Sequence, residues 1–266
     1  MVSAFQPLLG VMGALCHQRG NRGVRLDISA LVLVSRQDAL QRQMDVAANN
    51  IANATTVGFK QQQNIFQTYL AKSFGGDPVH YVIDKGTAID FRNGPLTQTG
   101  NALDVAVDGE GLMPVQTPQG VAYTRAGSFT LDDQGHIITS AGYPVLSNGG
   151  APIIVPTEAR HITITGNGSI RTEAGEIGRL GVVTFARPQE VTLSGEGLYR
   201  TTQAGVANEN ARFVQGALEQ SNVQPVVELT RVMEVSRAYQ QTARLIDQDF
   251  ERQRNAIRAL GRTTAA

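Results

Sequence analysis

The 266-residue chain contains no tryptophan, and aromatic residues make up only 6% of it. This scarcity argues against a surface that stacks nucleic-acid bases or sugar rings. The single cysteine, Cys16, excludes an internal disulfide framework and a cysteine-based metal site. Because 23 basic residues balance 23 acidic ones, the formal net charge is zero, and nothing draws the chain to nucleic acid or anionic lipid.

Long hydrophobic runs are also missing. The apolar stretch at residues 2–15 is about fourteen residues long, too short to span a bilayer. No Lys or Arg precedes it, so the charged start of a secretory signal is absent as well. We therefore expect no membrane insertion, and we interpret residues 1–27 as a disordered extension or as the product of a wrongly placed start.

Residues that could carry chemistry are few and scattered. The four histidines have no partner at metal-ligand spacing, and no Gly-x-Ser-x-Gly sequence offers a nucleophile. Asp104, Asp108 and Glu110 lack the regular oxygen spacing of a calcium loop. We predict no catalytic residue, no metal, no cofactor and no small-molecule substrate.

Two long helices are predicted, one near each end of the chain. Apolar residues at alternating spacings of three and four indicate a helix over residues 221–260, with Ser221 and Asn222 as capping residues and Pro225 in its first turn. A matching pattern begins at Ile28 and continues to Ala54. We expect the two helices to pair as an antiparallel coiled coil. Its facing residues are Leu40, Met44, Ala47 and Ile51 on the first helix and Val232, Tyr239, Ala243 and Ile246 on the second.

The first helix ends in an asparagine-rich segment. Asn50 carries an amide suited to hydrogen bonds between packed helices, and Asn53 is a plausible C-cap. Gly58 predicts a turn with positive φ, and Phe59 an apolar anchor beside it.

The middle of the chain, residues 67–205, has the alternating pattern and frequent turn signals of short antiparallel strands in a barrel or sandwich. Pro114 places its strand at an edge or a bulge, and residues 84–92 and those after Lys72 are expected to be extended connectors. The predicted fold class is therefore α+β, with paired terminal helices and a central antiparallel β domain. Its parts are residues 1–27, 28–66, 67–205 and 206–266.

Three separated motifs resemble those of bacterial flagellar basal-body rod proteins. The first is Asn49-Asn50-Ile51-Ala52-Asn53 with Gly58-Phe59-Lys60, the second covers residues 94–107 and 123–129, and the third covers residues 216–223. The resemblance extends over about residues 28–260. One departure is Leu112-Met113, where the family usually has two aromatic residues.

This resemblance implies a structural subunit of the flagellar rod rather than an enzyme. The rod transmits torque across the periplasm, so the implied partners are copies of this chain, other rod subunits and the flagellar export apparatus. Residues 35–37 and 234–239 favour a proximal over a distal rod subunit. The alternative from the residues alone is a hydrolase or ligand-binding β domain with helical oligomerisation arms.

The predicted assembly interface follows the two helical stripes and the turn between the first helix and the β region. Its residues are Leu33, Leu40, Met44, Ala47, Asn50, Ile51, Asn53, Gly58, Phe59, Leu229, Val232, Tyr239, Ala243, Ile246 and Phe250.

Overall fold

The computed structural model describes residues 24–71 and 79–263. Helix α1 spans Val24–Ala52 and helix α2 spans Pro225–Thr263. Both helices were predicted, but α1 begins at Val24, inside the segment that we expected to lie outside the fold. Residues 1–23 of that predicted extension are outside the described residues. No described helix combines the length and the apolar character needed to cross a bilayer.

The strands between the helices are short, except for the first two. Their bounds are Gln62–Ala71 (β1), Val79–Ile89 (β2), Leu96–Gln98 (β3), Val105–Asp108 (β4), Met113–Thr117 (β5), Gly120–Thr124 (β6), Phe129–Leu131 (β7), Ile137–Thr139 (β8), Thr163–Ile164 (β9), Ser169–Thr172 (β10), Gly175–Arg179 (β11), Val183–Thr184 (β12), Thr192–Leu193 (β13), Leu198–Arg200 (β14), Val206–Ala207 (β15), Arg212–Gln215 (β16) and Ala217–Glu219 (β17).

Strands β1 and β2 form a long antiparallel ribbon that packs against α1. Its register runs from Gln62 opposite Ile89 to Ala71 opposite Val79, with an irregularity between Ile65 and Phe66. The prediction of an extended connector over residues 84–92 was therefore wrong for its first part, because β2 continues to Ile89. The connector predicted after Lys72 falls on residues 72–78, which are outside the described residues.

Helices α1 and α2 lie side by side in opposite directions. The amide of Asn50, at the end of α1, is 3.4 Å from a carboxylate oxygen of Glu228, at the start of α2. Further along, Gln43 and Val235 line the same cleft. Along α2, Glu228, Val235 and Thr242 are buried at steps of seven residues, so one face of α2 is covered.

Residues 96–219, which we call the β domain, enclose the main apolar core in small antiparallel sheets. The largest sheet has the order β13-β14-β6-β5, so β5 is its outermost strand, as predicted from Pro114. Residues 144–146 bond along the outer side of β5, where the Pro114 carbonyl accepts the Leu146 N–H at 2.9 Å. Strands β16 and β17, which follow residue 205, return to pair with β4 and β3. The sheet structure therefore extends past the boundary that we predicted.

Candidate assembly surface and the buried junction beside it

Residues that α1 contributes to the predicted interface are mostly covered within the chain. Leu40 and Ala47 are buried, whereas Leu33, Met44 and Ile51 are half-buried. These five residues recur at spacings of four, three or seven, so they follow one side of α1. This side of α1 is therefore the covered one.

The predicted residues of α2 divide into two groups. Val232, Tyr239 and Ile246 are half-buried. Along the helix they alternate, at steps of three and four residues, with the buried Glu228, Val235 and Thr242. Ala243, of the other predicted series, is half-buried as well. The sequence pattern did not indicate which series would be covered inside the chain.

The remaining predicted residues of α2 are open to solvent. Leu229 is 52% exposed and Phe250 is 55% exposed, and Ile257, at the same heptad position, is 69% exposed. Val226 and Met233 extend this surface at the start of the helix, with exposures of 76% and 54%. We call these five residues the outer stripe. It is a row of large apolar side chains that the described part of the chain leaves uncovered.

Near the end of α1, the side-chain amide of Asn50 hydrogen-bonds to both backbone groups of Gln62, in the way that the backbone of a neighbouring strand would. Its Oδ1 accepts a hydrogen bond from the Gln62 N–H at 2.9 Å, and its Nδ2 donates to the Gln62 carbonyl at 2.8 Å. Glu228, fully buried, accepts a hydrogen bond from Gln61 Nε2 at 2.7 Å. The end of α1 and the start of α2 are thereby fixed to the first residues of the β1–β2 ribbon.

The turn after α1 has the conformation predicted for it. Asn53 ends the helix, with its Nδ2 donating to the Asn49 carbonyl at 3.0 Å. Gly58 has a φ of +69°, and a Cβ there would lie 2.4 Å from the backbone nitrogen of Ala126. Phe59 is only 3% exposed. Glycine is required at position 58 because of both its backbone angle and this close approach.

Next to this turn, three charged side chains are buried together. The carboxylate of Glu219 accepts a hydrogen bond from Lys60 Nζ at 2.6 Å and another from Arg125 Nε at 2.5 Å. All three side chains are at most 1% exposed. The same carboxylate also accepts the Gly94 N–H at 2.7 Å. We call Lys60, Arg125 and Glu219 the junction cluster.

The two cations of the cluster also bind backbone carbonyls. Arg125 donates to the carbonyl of Val107, in β4, at 2.7 Å and to that of Gly109, in the turn after β4, at 2.6 Å. Lys60 Nζ donates to the Arg92 carbonyl at 2.8 Å. Burial lowers the pKa of Lys60, although its hydrogen bond to Glu219 acts in the opposite direction.

Tyr199 completes the wall of the junction. Its hydroxyl accepts a hydrogen bond from the Lys60 backbone N–H at 3.1 Å, and its ring contacts Phe91, with centroids 6.1 Å apart. Burial raises the pKa of the Tyr199 hydroxyl far above its usual value. The phenol therefore remains a neutral hydrogen-bonding group over the ordinary pH range.

Asn222 lies across the junction instead of capping α2, which corrects the prediction. Its Oδ1 accepts the Gln61 N–H at 2.7 Å, and its Nδ2 donates to the carbonyls of Asp90 at 2.9 Å and Arg92 at 3.0 Å. Ser221 caps no helix either, since its hydroxyl accepts the Val223 N–H before α2 begins. Asn222 thus links the backbone before β1 to the backbone after β2.

Sequence reasoning did not identify the junction cluster. Lys60, Arg125 and Glu219 each fall in one of the three motifs, but the residues are 94 and 159 positions apart where they bond. The usable signal was that charged residues are rare in the motifs: Lys60 in the first, Asp104 and Arg125 in the second and Glu219 in the third. Nothing in the sequence showed that these charges meet.

Within residues 24–71 and 79–263, no three His, Cys, Asp or Glu side chains lie close enough to hold a metal ion. A cleft of about 120 Å³ in the β domain is lined mainly by apolar residues, including Phe91, Leu112 and Phe185, with Glu110 as its carboxylate. The convergent polar pocket that a hydrolase needs is not present in this cleft.

Three family models match the chain. The flagella basal body rod protein model matches residues 31–60, the flagellar hook protein FlgE/F/G D1 domain model matches residues 106–172, and the flagellar basal body rod FlgEFG protein C-terminal model matches residues 214–259. These matches cover α1 and the following turn, half of the β domain, and the segment from β16 through most of α2.

Individual relatives agree with the family models. The chain is 39% identical to flagellar basal-body rod protein FlgF of Caulobacter vibrioides over 246 residues, which covers 89% of this chain and 99% of that protein. It is 33% identical over 236 residues to FlgF of Mesorhizobium japonicum, with coverages of 88% and 98%. FlgG of Bacillus subtilis is 33% identical over 243 residues, with coverages of 80% and 91%. The chain therefore belongs to the flagellar basal-body rod protein family, as its three motifs predicted.

Proposed function

We propose that this chain is a structural subunit of the proximal flagellar rod and that it polymerises through α1 and α2. The observation that carries the proposal is the outer stripe. Large apolar side chains more than half exposed on one helix are typical of protein–protein interfaces. The outer stripe extends from Val226 to Ile257 along α2, with one group of side chains at residues 226–233 and another at residues 250–257, and these ends are about 47 Å apart.

In the proposed assembly, the predicted interface residues have two roles. A coiled coil inside each subunit contains the buried and half-buried interface residues of α1, together with Val232, Tyr239, Ala243 and Ile246 of α2. Leu229 and Phe250 contact helices of neighbouring copies or of other rod subunits. Contacts between unlike surfaces build an open helical assembly when their rotation does not close into a ring, and in the proposed rod they build a helical tube with the β domains outside.

The relatives favour a proximal position over a distal one. Identity to a FlgF protein reaches 39%, with 99% of that protein covered, against 33% and 91% for the FlgG protein of Bacillus subtilis. A distal rod subunit is the second candidate. In either position the chain would lie in the periplasm-spanning rod after export by the flagellar secretion apparatus, and it would carry torque rather than perform a reaction.

The direct test is cryo-electron microscopy of basal bodies purified from the source bacterium. We expect the fold of residues 24–263 to fit the proximal rod layers, with α1 and α2 towards the axis and the β domain outside. Density for the fold in the distal layers alone would favour the second candidate. Absence of the chain from both parts of the rod would refute the proposed function.

A further inference from the structure

The helices and the β domain are joined through a narrow region. Helix α1 packs against α2 and against the β1–β2 ribbon, and we call these elements together the helical arm. Among the described residues, no comparably extensive packing joins either helix to a strand of the β domain. The ribbon contacts β13 and the turn at Pro188–Glu190 near its base. The angle of the arm is therefore determined where the chain passes through the junction.

The junction cluster occupies this place and ties together segments from both sides. Lys60 immediately precedes the ribbon, Gly94 follows it, and Arg125 belongs to the β domain. All three donate to the one carboxylate of Glu219, at 2.6, 2.7 and 2.5 Å. Charge-assisted hydrogen bonds of this length are directional, whereas apolar contacts allow surfaces to slide.

From the cluster, hydrogen bonds continue to both helices. Gln61 follows Lys60 and bonds to Asn222 through its backbone and to Glu228 of α2 through its side chain. The next residue, Gln62, is paired with Asn50 of α1. A rotation of the arm about the junction would have to break several of these bonds together.

We propose that Lys60, Arg125 and Glu219 are positioning residues that fix the angle between the helical arm and the β domain. Resting on the proposed function, this inference means that the cluster sets the orientation in which the outer stripe meets a neighbouring subunit. Stability alone is a poor reason for burying such a cluster, because the cost of removing three charges from water offsets much of their attraction. A fixed geometry is the property that apolar residues of similar size would not supply.

Two variants separate geometry from stability. Glu219→Gln keeps the side-chain shape but leaves two buried cations without a counter-charge, so we expect a large loss of thermal stability. In Lys60→Met/Glu219→Gln only one buried cation, Arg125, lacks a counter-charge instead of two, and we expect part of the melting temperature to return. The control is Arg171→Met/Glu176→Gln, which likewise removes one cation and one carboxylate, here from an exposed pair 3.6 Å apart.

The arm angle is measured on the free full-length chain by double electron–electron resonance. Nitroxide labels are attached at Thr130→Cys in β7 and Arg237→Cys in α2, both exposed positions, after Cys16→Ser removes the native thiol. We expect a narrow distance distribution for the unmodified chain and the control. For the double variant we expect a distribution at least twofold wider than that of the unmodified chain, although its stability is partly recovered, and at least tenfold less incorporation into rods.

A double variant that keeps the narrow distribution overturns the inference. So does a wide distribution in the unmodified chain, because the cluster would then fail to hold the arm. The distances do not depend on polymerisation. If the unmodified chain is never incorporated into rods, the proposed function fails, and the distance measurement still decides whether the cluster fixes the arm.

Discussion

Replacing Asn222 with aspartate tests the junction with almost no change in shape. In the folded chain, Oδ1 of Asn222 accepts the Gln61 N–H, and Nδ2 donates to two carbonyls at 2.9 and 3.0 Å. Asn222→Asp keeps the acceptor but places a second carboxylate oxygen against those carbonyls. Asn222→Ala removes the whole group without adding a charge.

The expected magnitudes follow from these bonds. Losing three hydrogen bonds at a partly covered site destabilises Asn222→Ala by about 2 kcal/mol, since each bond contributes about 1 kcal/mol and water recovers some of the loss. The carboxylate of Asn222→Asp also faces two carbonyl oxygens, which brings its loss to about 3 kcal/mol at pH 7. The nearly isosteric variant is therefore expected to be the less stable of the two.

Protonation reverses the order of stability. The facing carbonyls raise the pKa of the introduced carboxyl above its ordinary value of about 3.9, so the folded state binds the proton more readily than the unfolded state. Relative to the unmodified chain at the same pH, the penalty of Asn222→Asp should shrink as the pH falls towards 4. The protonated group can then donate to one of the carbonyls.

Urea unfolding followed by far-ultraviolet circular dichroism, at pH 7 and at pH 4, measures these free energies. Asn148→Asp is the matched control, because Asn148 is exposed and its change should stay within about 0.5 kcal/mol. The reasoning is refuted if Asn222→Asp is more stable than Asn222→Ala at pH 7, or if its penalty does not depend on pH.

Three further variants probe other parts of the fold. Tyr199→Phe leaves the backbone N–H of Lys60 without its acceptor and should lower the free energy of unfolding by about 1–3 kcal/mol. Because burial raises the pKa of Tyr199 in the folded chain, this tyrosine ionises above about pH 10 only in the unfolded state, which lowers the stability of the unmodified chain. The variant lacks this group, so its loss of stability above that pH should be smaller. Gly94→Ala would place Cβ 2.0 Å from a backbone carbonyl oxygen and should destabilise the chain by about 3 kcal/mol or more in thermal denaturation. Phe250→Asp, in the outer stripe, should leave the melting temperature unchanged yet abolish incorporation into rods, whereas Gln248→Asp, also exposed, should affect neither; normal motility with Phe250→Asp would contradict the proposed interface.

Periodicity predicted both helices but did not indicate which side of α2 is covered. Leu229 and Phe250 share a heptad position with Ala243, yet they are exposed whereas Ala243 is half-buried. Within residues 225–259, the buried residues of α2 recur every seven positions, and two of the three, Glu228 and Thr242, are polar. Burial of Glu228 depends on Asn50 and Gln61, more than 160 residues away. A local hydrophobic pattern contains no information about such distant partners.

The junction was beyond sequence reasoning for a related cause. Helix propensity made Asn222 a reasonable cap, since it lies just before an apolar periodic segment. Its amide instead bonds to backbone 130 or more residues away. By contrast, Gly58 and Phe59 were predicted correctly because a positive φ and an apolar anchor are local requirements. Local features could be predicted, and the meeting of the three motifs could not.

The pairing of β16 with β4 and of β17 with β3 has a consequence for the time at which the fold can form. Strands β3 and β4 stay unpaired on these edges until residues 212–219 are available, and the Glu219 carboxylate reaches Lys60 and Arg125 only then. Contacts between residues so far apart in the chain also form slowly. A subunit exported by the flagellar secretion apparatus, as proposed, could therefore complete its fold only after its C-terminal quarter emerged.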